Sequence, residues 1–301
     1  MEKVNYKGWE NCYKLTNGKI ELVVTTDVGP RIIFFGFVGG KNVFHNFEDM
    51  VGTTGSDEWK IYGGHRLWHA PENQPRSYFP DNNPIKIEDK ETFIRLLQPV
   101  EDTTGIEKQI DIYLDQSKPE VKVIHRLINH NVWGVELAAW ALSVMAPGGK
   151  AIIPFPKRGS HTDGDLLPSS SLVLWSYTRM ADKRWAWGDK YIILQSEIGN
   201  DMAQKCGAVV EDGWAAYVNN DLLFVKHFDY LPEFTYPDMG SNVETFTNES
   251  FLELETLGPL CWLLPNEAVE HTETWNLFDG IKTPLSEEEI DKIILPKVKV
   301  S

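Results

Sequence analysis

The sequence predicts an all-β protein made of stacked antiparallel sheets, with one short helix near its C-terminal end. Three observations carry this expectation. Apolar and polar residues alternate with period two along most of the chain, which sends successive side chains to opposite faces of a strand. The alternating runs are rich in β-branched and aromatic residues and are bounded by Gly, Pro, Asn and Asp. Helical segments do not intervene between them, which argues against parallel βαβ units.

Taken in order, the predicted strands are Lys19 to Thr25, Arg31 to Phe37 (RIIFFGF), Glu107 to Leu114 (EKQIDIYL) and Glu120 to Asn129 (EVKVIHRLIN). Val132 to Met145, Ser171 to Tyr177, Tyr191 to Glu197 and Asp221 to Phe228 follow. Turns are signalled by Asn17-Gly18, Gly39-Gly40 and Gly148-Gly149. Ser286 to Leu295 reads differently. A serine cap, three acidic residues in the first turn and Ile290, Ile293 and Ile294 at helical spacing predict a helix, with Pro296 as its stop. Pro71 to Pro84 and Gly159 to Ser170 are long polar loops, of the kind that cover or form sites. Residues 1–301 show no repeat and no Pro/Ser-rich linker, so a single domain is expected.

The net charge of −15 opposes nucleic acid and anionic membranes as partners. No apolar run is long enough for a membrane-spanning helix, and the opening MEKVNYKGWENCYKL lacks the apolar core of a secretion signal. A cytoplasmic location is therefore expected. Three widely spaced cysteines, Cys12, Cys206 and Cys261, form neither a disulfide framework nor a zinc ribbon. The chain is rich in aromatic residues, with 11 Trp, 10 Tyr and 14 Phe. Such rings serve cores and binding surfaces with a wet edge.

Two clusters carry candidate chemistry. In Tyr62 to Glu72 (YGGHRLWHAPE) a strand places His65 and His69 on one face and Arg66 and Trp68 on the other, with Glu72 just beyond. This suits a polar wall holding an acid or base, an anion-gripping arginine and a stacking indole. A mononuclear metal site from His65, His69 and Glu72 is chemically feasible, although no metal or other cofactor is the main expectation. In Phe251 to Leu257 the alternation puts Glu253 and Glu255 on one face, their Cα atoms ~6.7 Å apart at a rise of ~3.3 Å per residue. Two carboxylates on one face repel, which raises one pKa and suits general acid–base work. A plain solvent-facing strand is the competing explanation. Weaker candidates are His161 in the loop GSHTDGD, His227 with Lys226 and Asp229, Trp140 in AAWAL, and the pair Trp185 and Trp187. There is no GxSxG elbow, no GxxxxGK loop and no helix-opening GxGxxG.

In this order the clusters resemble the galactose mutarotase-like (aldose 1-epimerase-like) superfamily, and within it a bacterial branch. IELVVTTDVGPRIIFFGFVGGKNVF, GGHRLWHAPE, LINHNVWGVELAAWALSVMAPGG and FLELETLGPL with LLPNEAVEHTETW carry the resemblance over most of the chain. It implies a supersandwich of large twisted sheets with sugar bound on an open surface. It further implies Glu255, with Glu253 next, as the base that takes the anomeric proton, and Arg66 as the sugar-gripping arginine. The family's catalytic-acid histidine falls at or beside Trp140, and its His-x-Tyr-Phe-Asn signature is missing. The expected function is sugar isomerisation, with His65 or His161 supplying the acid and Trp68, His69, Glu72, Trp140, His227 and Glu253 holding the substrate. A sugar-binding module that stacks its ligand on tryptophan is the alternative, and a metal-dependent lyase or isomerase the third. The expected partner is a small sugar or oligosaccharide. Open sheet edges are compatible with a monomer or a homodimer.

Overall fold

The computed structural model describes residues 1–299. Two antiparallel sheets dominate it. The first runs, in spatial order, Glu2–Tyr6, Trp9–Thr16, Ile20–Thr25, Arg31–Phe37, Gly64–Ala70, Val135–Met145, Leu252–Leu257, Val243–Thr247, Gln204–Ala208 and Leu172–Leu174, with Cys261–Leu263 pairing the start of Val135–Met145. The second runs Trp185–Trp187, Tyr191–Gln195, Lys150–Pro154, Trp214–Asn219, Leu222–Phe228, Ala268–Phe278, Glu120–Asn129, Ile106–Leu114, Ile94–Leu97 and Lys86–Asp89. Most predicted strands agree within a few residues, and Arg31–Phe37 and Glu120–Asn129 match end for end. Ser171 to Tyr177 is strand only over Leu172–Leu174, because the chain then turns and pairs no further.

One apolar core, including Leu22, Phe35, Leu67, Ile110, Leu127, Leu254 and Trp275, draws residues from both sheets. Face-to-face packing of this kind buries one side of each sheet and leaves the other to be covered by something else. On the second sheet that cover is the C-terminal helix. Ile290, Ile294 and Val298 are buried against Ile152, Trp214, Val218 and Val225. Ser286 caps it, its hydroxyl accepting from Glu289 N–H. Pro296 does not end the helix. A wide π turn over Ile290–Ile294 comes immediately before the segment Leu295–Val298, so the proline sits where its missing N–H is tolerated.

The Gly-Gly that opens the histidine-rich strand has a steric cause. Gly63 and Gly64 both have positive φ, and a Cβ at either would lie 2.0 Å from the His45 carbonyl or 2.4 Å from that of Ile32. No helix among the described residues is long and apolar enough to cross a membrane.

Candidate functional site

The site is built on five neighbouring strands of the first sheet. Antiparallel register places paired residues on one face. One row reads Arg66, Leu142, Glu255, Glu244 and Gly207 across the strands. The next reads Gly64, Val144, Glu253, Phe246 and Lys205. A third begins Trp68, Trp140, Leu257. The face turned away from the second sheet thus carries two arrays, one charged and one aromatic.

Above these rows lies an open cleft of about 560 Å³, within the ordinary range for a small-molecule site of roughly 300–1,000 Å³. Trp59, Trp68, Tyr78, Trp140, Trp175 and Tyr177 give it an aromatic wall, and Arg66, Glu72, Lys205 and Glu253 its charge. Trp68 is the hub of the aromatic wall, with ring centroids 5.2 Å from Trp59, 5.0 Å from Tyr78 and 5.4 Å from Trp140. Edge-on contacts of this kind fix ring orientation. The Tyr78 hydroxyl donates to Glu72.

Both cations are held between rings. The Arg66 guanidinium lies 4.6 Å from the Trp68 centroid and 5.6 Å from that of Trp59, while Lys205 Nζ lies 4.7 Å from Trp140 and 4.6 Å from Trp175. Arg66 Nη1 is 2.8 Å from Glu253 Oε1. The two are close but poorly aligned, so Arg66 Nε and Nη1 and Glu253 Oε1 have no hydrogen-bond partner. Unpaired polar atoms of this kind in a cleft wall mark where a ligand's oxygens would be favourable.

Beneath the cleft Lys205 Nζ lies 2.8 Å from Glu244 and 3.3 Å from Glu255. The Trp140 indole N–H donates to Glu255 Oε2 at 2.9 Å. Burial raises the Glu255 pKa to about 7, with Glu253 adding to the rise and Lys205 opposing it. Burial also drives Glu244 well up. For Lys205 burial alone would lower the pKa, but Glu244 and Glu255 outweigh it and hold the ammonium charged. One cation thus faces two carboxyl groups whose pKa values burial raises, which favours retention of a proton in the group near neutrality.

Of the residues singled out in the sequence, Arg66, Trp68, Glu72, Trp140 and Glu253 meet around this cleft. Glu255 lies directly beneath it, fully buried, and is not part of its wall. The histidines are elsewhere. His65 and His69 occupy the opposite face of the same strand and point between the sheets, so neither reaches the cleft. His161 lies on a loop facing Gly188 and Asp189. His227 belongs to the second sheet, paired across to Trp214 and Thr274. Trp185 and Trp187 stack on each other at the edge of that sheet. A metal set of His65, His69 and Glu72 is not assembled, since His65 engages Ser143 and His125, and Glu72 engages Tyr78.

His65 instead belongs to a buried chain whose protons can be assigned. His125 Nδ1 donates to the His271 carbonyl at 2.9 Å, which leaves neutral His125 Nε2 as an acceptor. His65 Nε2 donates to it at 2.6 Å, and Ser143 Oγ donates to His65 Nδ1 at 2.8 Å. Glu273 accepts from Lys226, Thr256 and Trp275 at 2.9, 2.5 and 2.7 Å. His65, His125 and Glu273 place ligand atoms within 4.8 Å of one another, and these core hydrogen bonds account for each of those atoms.

Lys205, Glu244, Trp59, Tyr78, Trp175 and Tyr177 were not singled out in the sequence. Lys205 had a signal, a lone charge in the otherwise uncharged strand Gln204–Ala208. Glu244 alternates with Val243 and Thr245, and only the register shows that it pairs directly with Glu255 across the sheet.

No family model and no curated protein matches the sequence. Solved structures do match. The Slr1438 protein of Synechocystis sp. PCC 6803 aligns at 12% identity with a TM-score of 0.58, over 93% of this chain and 100% of its own. A galactose mutarotase related enzyme from Lactobacillus acidophilus aligns at 10% identity and TM-score 0.52, over 89% of this chain and 98% of its own. A galactose mutarotase-like protein from Lactobacillus casei aligns at 9% and 0.51, over 89% and 100%. The architecture is therefore that of a two-sheet β supersandwich with a cleft on one outer face. More narrowly, it is the galactose mutarotase-like fold.

Proposed function

We propose that the protein acts on a sugar as an aldose 1-epimerase-like isomerase, with the cleft as its active site. The observation that carries this is the separation of two same-face carboxyl groups, one beside Arg66 and the other buried under Trp140 and Lys205. Glu253 lines the cleft and Glu255 lies buried beneath it, so the two carboxyl groups take different parts in proton transfer. Glu253, which lines the cleft, takes the proton from the anomeric hydroxyl. The bond between the anomeric carbon and the ring oxygen breaks, and its electron pair stays on that oxygen, which receives a proton from Lys205 Nζ. Glu255 Oε2, 3.3 Å from Nζ, returns a proton to the amine. Rotation of the free aldehyde and the reverse steps close the other anomer. Arg66 grips substrate hydroxyls and the tryptophans stack on the ring. The base role expected of Glu255 thus passes to Glu253, and Lys205 takes the place of the expected histidine.

A second proposal, a sugar-binding module without turnover, is favoured by the lack of histidine among the cleft-wall residues and by the four indoles there. Proton NMR magnetisation transfer between α and β anomers of a monosaccharide panel separates the two. The isomerase requires faster exchange for at least one sugar and a loss of about a hundredfold in Glu253→Gln, the scale of general acid–base catalysis. Selective line broadening with no exchange supports the binding module and overturns catalysis.

A further inference from the structure

At one end of the sandwich, between the Gly64–Ala70 strand, the start of Val135–Met145 and Ile106, a second cavity of about 350 Å³ opens. It has no lining residue in common with the cleft. Ile106, Val135 and Leu137 give it apolar walls, and Trp133, 63% exposed, presents an indole to it.

Two nitrogen-bearing side chains in this lining have unmet hydrogen-bonding capacity. His69 is 1% exposed, and neither ring nitrogen has a hydrogen-bond partner. Its nearest acid, Glu101, is 3.8 Å away and already engaged, by Lys108 at 2.5 Å and by the Thr104 hydroxyl at 2.5 Å. Arg76 Nε is also buried and unpaired, while Nη2 donates to the Pro71 carbonyl. Arg76 is close enough for its charge to oppose protonation of His69. Buried polar atoms are normally paired, so two such side chains in one cavity wall call for a ligand that meets both. The charge present selects its sign. Glu101 is matched by Lys108, and the acid in the lining, Glu136, is exposed to solvent. Arg76 is left as the uncompensated cation, and a guanidinium favours a carboxylate.

We propose that this cavity is a second binding site, separate from the cleft, for a small organic carboxylate with a flat apolar body. The carboxylate accepts from Arg76 and His69, and the body lies against Trp133, Leu137 and Ile106.

Titration calorimetry of the full chain with benzoate, and with benzamide as its neutral isostere, tests this. Benzoate should bind saturably in the millimolar range, and benzamide at least about tenfold more weakly, the loss expected for a charge-assisted pair. Arg76→Gln should weaken benzoate by about tenfold. Trp133→Ala, at an exposed position that folding tolerates, should weaken it by about threefold. Glu253→Gln in the cleft should leave it unchanged, which keeps this test independent of the sugar proposal. The site is refuted if wild type shows no saturable binding, if benzamide binds as well as benzoate, or if Glu253→Gln abolishes binding that Arg76→Gln and Trp133→Ala leave intact.

Discussion

At the scale of single residues, Glu255 is where sequence, packing and chemistry meet. An isolated carboxylic acid in this position would be neutral at any ordinary pH, because burial disfavours its charge. The positive charges of Lys205 and Arg66 draw it back to about 7. The sign of the resulting pH dependence follows. If a protonated Glu255 refills Lys205, exchange should be fast below about pH 7 and fall as pH rises above it. Glu255→Gln should remove that inflection, and a pH–rate profile of both proteins checks it. An unchanged profile in the variant would take Glu255 out of the proton path. Trp140 has a similar double role. Its ring lines the cleft while its N–H holds Glu255. Trp140→Phe keeps most of the ring area and removes the donor. It should therefore raise the Glu255 pKa, shift the inflection upward and leave sugar binding within about threefold, since stacking is retained.

At the scale of elements, the strand Gly64–Ala70 governs both sites. Its outward side chains, Arg66 and Trp68, serve the cleft, and its inward ones, His65, Leu67 and His69, serve the core and the second cavity. A one-residue slip would exchange these sets. The two glycines at its start prevent that by allowing the chain to pass close to the carbonyls of His45 and Ile32. Gly64→Ala combines a left-handed backbone with a contact at 2.4 Å, and should cost at least about 2 kcal/mol in urea unfolding. Period-two alternation made this strand's two faces legible from sequence. Which face met the second sheet was not legible, because the neighbouring strand Val135–Met145 is buried on both faces and carries no polar side to orient it. For that reason His65 and His69, grouped correctly with each other, were expected at the wrong surface.

At the scale of the whole molecule, the inter-sheet core holds an unusual amount of titratable chemistry. Burial lowers the pKa of His65, His125 and His271, the last to about 3. In the unfolded chain these imidazoles titrate near 6.5. Between those values the unfolded state binds more protons than the folded one, so stability is full above about 6.5 and is lost as pH falls toward 3. Urea midpoints measured from pH 7.5 down to 4 should decline steadily, and His271→Gln should flatten the decline. Lys226 and Glu273, both fully buried and paired at 2.9 Å, anchor the same network. Lys226→Met leaves an unmatched buried carboxylate and should cost about 3–5 kcal/mol, or raise the Glu273 pKa enough to neutralise it.

The sequence by itself determined the strand composition, the antiparallel class, the capped C-terminal helix and the same-face pairing of Glu253 with Glu255. Each depends on the period of a strand or helix, and that period is a local property of the backbone. The tertiary structure decided everything that depends on which strands become neighbours. Only the order of the first sheet brings Lys205 and Glu244 beside Glu255 and stands Trp175 opposite Trp140. The buried group of Lys205, Glu244 and Glu255 is thus drawn from three neighbouring strands, Gln204–Ala208, Val243–Thr247 and Leu252–Leu257. Its pKa values arise from mutual burial and distance, neither of which exists until the sheets have closed.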